Sequence, residues 1–93
     1  MEGKIQTLHP QGKSGVNISK EKYDVMKETI TSLLRKSPLS HIELTNAVIA
    51  ALKGRFTGSI PWYVESVKLD LEARKIVERV EGNGKTLTTY RLR

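Results

Sequence analysis

Apolar residues along the chain fall into three blocks at helical spacing, followed by two short β-rich runs. In the first block Tyr23, Met26, Ile30, Leu33 and Leu34 recur every three or four positions, so one stripe of a helix faces a core. This predicts a helix from Ser19 to about Lys36. Ser19 is the N-cap and Glu21 lies at the positive end of the dipole. Arg35 and Lys36 complement its other end, and Ser37-Pro38 stops it, because the residue before a proline is pushed out of the helical region. The second block, Leu44, Val48, Ala51 and Leu52, opens on Ser40 and Glu43, which have the spacing of a capping box. Leu39 and Leu44 are placed to form a hydrophobic staple, and Gly54 is a natural left-handed terminator.

A third helix is expected from near Ser59 to about Arg74, with Pro61 tolerated in its first turn. Ile60, Val64, Val67 and Leu71 share one face, while Trp62, Leu69 and Ala73 lie nearly opposite. A helix with two apolar faces either sits between layers or offers one to a partner. Trp62 thus has two readings, a core residue packed under a neighbouring segment or the anchor of an interaction surface. The tail reads as a hairpin, Ile76–Glu81 and Thr86–Leu92, turning at Asn83-Gly84. Before the helices, residues 1–18 differ in character. Lys4–Leu8 is strand-like, Pro10, Gly12 and Gly15 break the chain, and Val16 and Ile18 add a second extended piece. This stretch is expected to be an N-terminal arm or edge strand beside a domain of residues 19–93.

Composition narrows the function. The chain has 93 residues and no cysteine, so it carries no disulfide or thiolate site. No apolar run approaches the roughly 18–20 residues of a membrane span, and MEGKIQTLHP has no signal-peptide pattern. A cytoplasmic location without membrane attachment is expected. Sixteen Lys and Arg against ten Asp and Glu make the net charge +6, which favours an anionic partner. Catalytic chemistry finds no footing. Gly12-Lys13-Ser14 ends like a phosphate-binding loop, but Thr7 stands where its first glycine is needed. His9 and His41 have no metal-ligand spacing, and Ser40-His41 adjacency does not orient a hydroxyl toward an imidazole. The expectation is a chain that is not an enzyme and needs no metal, cofactor or small-molecule ligand.

The order of elements, three helices and then a hairpin, resembles a winged helix-turn-helix domain of α+β class. The likeness is sharpest in VESVKLDLEARKIVER, Val64–Arg79. This segment resembles the third helix and wing start of bacterial winged-helix regulators, which carry Leu-Glu-x-x-Gly-Leu-Ile-x-Arg. Leu71, Glu72, Ile76, Val77 and Arg79 match that pattern, and Tyr90 and Leu92 resemble the Tyr-x-Leu closing the wing. Lys75 stands where the pattern has glycine, so it must be left-handed or the turn must differ. Taken whole, the chain resembles a bacterial winged-helix domain family of unknown function.

That resemblance implies binding of double-stranded DNA in transcription regulation, with the last helix in the major groove. The charges fit this unevenly. Residues 60–74 hold only Lys68 and Arg74 against Glu65, Asp70 and Glu72. Of the positions read as outward, Tyr63, Ser66 and Lys68 are ordinary contact residues. Residues 75–93 hold Lys75, Arg79, Lys85, Arg91 and Arg93 against Glu78 and Glu81, which makes the hairpin the more basic element. The expected phosphate contacts are therefore Lys75, Arg79, Lys85 and Arg91. The competing expectation is a protein-interaction or homodimerisation module using Trp62, Leu69 and Ala73.

Overall fold

The computed structural model describes residues 3–13, 15–82 and 88–93. Among them the chain forms β1 (Lys4–Gln6), β2 (Asn17–Ser19), α1 (Lys20–Lys36), β3 (Leu39–Ser40), α2 (His41–Leu52), α3 (Ile60–Ala73), β4 (Val77–Val80) and β5 (Thr89–Leu92). It is an α+β fold of three helices followed by a C-terminal antiparallel sheet of order β3-β5-β4, with an N-terminal hairpin of β1 and β2. The Asn83-Gly84 turn, Lys85 and Ser14 lie outside the described residues.

Local chemistry explains each helix. Ser19 caps α1 by accepting from the N–H of Lys22 at 3.2 Å. Ser37 is fully extended, as Pro38 requires. At α2 the capping box is complete, with the Glu43 N–H donating to Ser40 Oγ at 3.2 Å and the Ser40 N–H donating to Glu43 Oε1 at 2.9 Å. Gly54 takes φ +75° just past the end of α2. Ser59 caps α3 and Pro61 sits in its first turn. Lys75 is left-handed at φ 66°, so the helix-to-strand turn keeps the glycine geometry with a lysine in it.

The helices pack through the stripes the sequence marks. Met26 and Ile30, Leu44 and Val48, and Val64, Val67 and Leu71 are all fully buried, and Val77 and Tyr90 close the cluster from the sheet. Each such aliphatic side chain stabilises the fold by about 1.5–3 kcal/mol through burial. Ile18 joins the same core, which seats the N-terminal hairpin against α1. The pairing Leu39↔Tyr90 and Ser40↔Thr89 ties the tail hairpin to the link between α1 and α2.

The flanks of α3 require a correction. Lys68, expected to point outward, is 2% exposed, and Asp70, counted above among the acidic residues of the helix, is 0% exposed. Lys68 lies about 70° and Asp70 about 90° from the centre of the core stripe, where neighbouring elements close over the helix. Tyr90 and His41 cover Lys68, while Tyr23, Leu8 and Arg74 surround Asp70.

Candidate functional site

Lys68 sits in a small polar cluster rather than on the surface. Its Nζ is 3.0 Å from His41 Nδ1, 3.4 Å from Glu65 Oε1 and 4.1 Å from the centroid of the Tyr90 ring. Glu65 also reaches His41 Nε2 at 3.7 Å. Burial and the Lys68 charge hold the His41 pKa below its usual value, against an opposing pull from Glu65. A neutral imidazole suits this arrangement, because Nδ1 can then accept from the ammonium. Lys68 is thus unavailable as the nucleic-acid contact expected of it. The Ser40 hydroxyl, bonded to the Glu43 N–H, is occupied as a cap and is not poised beside His41 as a nucleophile.

On the other flank Asp70 gathers a second cluster. It accepts from the Leu8 N–H at 2.8 Å, from the Tyr23 hydroxyl, and from Arg74 Nε at 2.9 and 3.0 Å. Burial and this bond push the Tyr23 phenol up from its ordinary pKa. Together the clusters change what the charge of α3 means. Glu65 is met by Lys68 and Asp70 by Arg74, so most of the acidity counted in residues 60–74 is matched within the fold. The excess of one carboxylate is unchanged by this pairing, and Glu72 is the one left over, its Oε1 buried without a hydrogen-bond partner among the described residues.

The tail hairpin does not form one basic patch. Arg91 Nε bonds Glu78 at 2.7 Å, and Arg79 Nε bonds Glu81 at 3.0 Å. In the β4–β5 register Arg91 is opposite Glu78 while Arg79 is opposite Tyr90, which puts the two arginines on opposite faces of the ribbon. Lys85 is outside the described residues. Lys75 lies apart from both arginines, lining a groove of about 570 Å3 with Lys13, His9 and Ala73. Among the described residues no carboxylate lines that groove.

The outward face of α3 is divided as well. Leu69, Ala73 and Ser66 are half-buried, and Ala73 sits beside the loop of the N-terminal hairpin. Trp62 is 45% exposed. It belongs to a chain of rings, packing edge-to-face on Tyr63 at 4.9 Å, with Tyr63 in turn edge-to-face on Phe56 at 5.0 Å. The Lys22 ammonium lies 5.3 Å from the Tyr63 centroid and 5.6 Å from that of Phe56. Tyr63 is therefore half-buried as the middle ring of a cluster. Sequence reasoning missed Phe56, Lys22 and Arg55. The available signal was an aromatic in a short loop (Arg55–Gly58) otherwise free of apolar residues, since such a side chain must pack on something nearby.

Among the described residues no three His, Cys, Asp or Glu side chains are grouped to hold a metal ion. No described helix is long and apolar enough to cross a membrane. No curated protein and no solved structure matches the chain. A family model does match over residues 4–87, and the chain belongs to that family, a family of unknown function (DUF6958).

Proposed function

We propose that the chain is a non-enzymatic winged-helix domain that binds double-stranded DNA in a regulatory, cytoplasmic role. The helix–strand–helix–helix–hairpin order supports this, because β3 ties the hairpin beside the helical unit as a wing requires. The observation that carries it is the turn leading into α3. Lys53 and Arg55 are exposed there, with no ion pair among the described residues, directly before the exposed first turn of the helix. Arg79 and Arg91 stand on opposite faces of the hairpin, so whichever face meets the DNA adds one cation, whose present partner is a solvent-exposed pair of small net value that exchanges onto phosphate at little cost. The DNA backbone would then run along the α2–α3 turn and one face of the hairpin.

A salt titration with a labelled random duplex tests this. Three phosphate contacts predict an affinity loss of about 40-fold between 50 and 200 mM salt. Absence of binding at about 50 mM salt overturns the proposal.

One observation favours a second reading, a protein-interaction or homodimerisation surface. Trp62 is exposed, and Ile42, 70% exposed, and Ile49 add outward apolar area on α2. Leu69 and Ala73 contribute less than the sequence implies, since both are half-buried. Sedimentation that stays monomeric at every concentration removes the homodimer version.

A further inference from the structure

We infer that Trp62 is a stacking platform for an unpaired nucleobase, with Arg55 contacting the adjoining phosphate. The inference rests on the nucleic-acid reading above but not on its duplex. Trp62 is the one tryptophan of the chain, and it stands in the first turn of α3, on its outward face, with 45% of its surface in water. Its edge-to-face contact with Tyr63, interplanar angle 83°, braces it on one side. A braced indole loses little rotamer freedom when a flat partner lies on it.

Cationic side chains lie beside the rings that brace Trp62. Lys22 lies over Tyr63 and Phe56, so those two rings have their cation and Trp62 has none among the described residues. Arg55, Lys22, Phe56, Thr57 and the exposed Val25 line one recess of about 240 Å3, with Glu21 as the carboxylate among its described residues. Gly58 holds the turn against the cluster. At φ +107° it takes a conformation that other residues rarely adopt, and an added Cβ would sit 3.1 Å from Tyr63 Cε2. The turn carrying Arg55 is thereby pressed onto the ring that braces Trp62.

This combination distinguishes the occupant. An apolar protein segment needs a continuous apolar stripe, and the next outward apolar residues, Leu69 and Ala73, are half-buried. The exposed Val25, Ile42 and Ile49 lie on other helices. Trp62 is an exposed ring whose brace, Tyr63, packs against the turn that carries Arg55, a cation with no ion pair among the described residues. That is the pairing used for single-stranded nucleic acid, with aromatic faces for bases and cations for phosphates. A blunt duplex keeps its base faces inside the stack, so the partner here is a single strand or a duplex with an unpaired position.

Trp62 is also the probe. The test titrates the full chain with a thymidine 12-mer and, separately, with a blunt random duplex, at about 50 mM salt, following tryptophan emission and the anisotropy of end-labelled strands. The expected result is saturable quenching by the single strand and little change in emission with the duplex. Trp62→Leu should weaken single-strand binding about 5- to 150-fold by anisotropy, and Trp62→Phe should restore part of it. Arg55→Ala should weaken binding and shallow the salt slope by about one. Circular dichroism melts verify that each variant folds. Duplex binding with unchanged Trp62 emission and no preference for single strands leaves the DNA reading standing and overturns the platform. Quenching by the single strand without duplex binding supports the platform and overturns the duplex. Binding by Trp62→Leu within twofold of the parent overturns the platform, as does the absence of binding by any strand. Emission that changes with protein concentration alone assigns the ring to a second copy of the chain and overturns the platform too.

Discussion

The backbone N–H of Leu8 donates to Asp70 Oδ1 at 2.8 Å, across 62 positions of sequence. This bond fastens the N-terminal hairpin to the last helix, and the Tyr23 hydroxyl and Arg74 guanidinium share the same carboxylate. Asp70 is fully buried, so removing it leaves several donors without an acceptor. Asp70→Ala should cost about 3–5 kcal/mol. Tyr23→Phe removes one donor and leaves the carboxylate two others, for a loss of about 1–2 kcal/mol. Urea unfolding midpoints measure both. Equal losses for the two variants would show that Asp70 is not the hub.

The N-terminal hairpin closes on a position that excludes any side chain. A Cβ on Gly15 would lie 1.8 Å from the backbone oxygen of Thr7. Thr7 and Val16 are joined by a backbone bond of 2.8 Å and by the Val16 N–H donating to Thr7 Oγ1 at 2.9 Å. Gly15→Ala should open this closure, and hydrogen exchange at the Thr7 and Val16 amides should lose its protection. Gly12 has φ +76° but open space around it, so Gly12→Ala should cost only about 1 kcal/mol and leave those amides protected. Protected amides in Gly15→Ala would refute the close approach.

Lys75 is the described non-glycine residue with positive φ. A side chain in this region costs roughly 1 kcal/mol, partly offset for glycine by the entropy of its unfolded state. Lys75→Gly should therefore raise stability by about 0.5–1 kcal/mol, seen as a Tm increase of about 2–6 °C for a domain of this size. A lower Tm would mean that the lysine side chain contributes more in the groove than its backbone strain takes away.

The parts legible in the sequence were those governed by neighbours a few residues apart. Ser19, Ser40–Glu43, Gly54 and Ser59 act through bonds or dihedral preferences within one helical turn, and each stands at its predicted helix end. β3 was not legible, because two residues carry no periodicity and its partner, Tyr90, is fifty-one positions away. Leu39 and Ser40 consequently read as a staple and a cap alone, though they also form the third strand of the sheet. Lys68 and Asp70 misled for a related reason. A helical wheel sends charged residues outward, and only long-range partners reveal that one pairs with His41 and Glu65 and the other with Tyr23 and Leu8. Segment charge sums failed at the same point, since they cannot separate an arginine held by Glu78 from Arg55, which has no ion pair among the described residues.

His41 makes the fold sensitive to mild acid. Its pKa is lowered from the ordinary 6.5 by burial and by Lys68, and partly restored by Glu65. The unfolded chain therefore takes up its proton near pH 6.5, while the folded chain takes it up only at lower pH. In the window between, the unfolded state binds more protons, so stability is full above that pH and declines as pH falls through the folded value. Protonation there also sets an imidazolium against the Lys68 ammonium 3.0 Å away. Urea midpoints at a series of pH values from 8 to about 5 should fall on the acid side, and His41→Gln should flatten that part of the curve. Lys68→Met removes the opposing cation and leaves Glu65 facing the ring, so an NMR titration of His41 should show a higher pKa in that variant. An unchanged or lower value would mean that Lys68 does not govern the histidine.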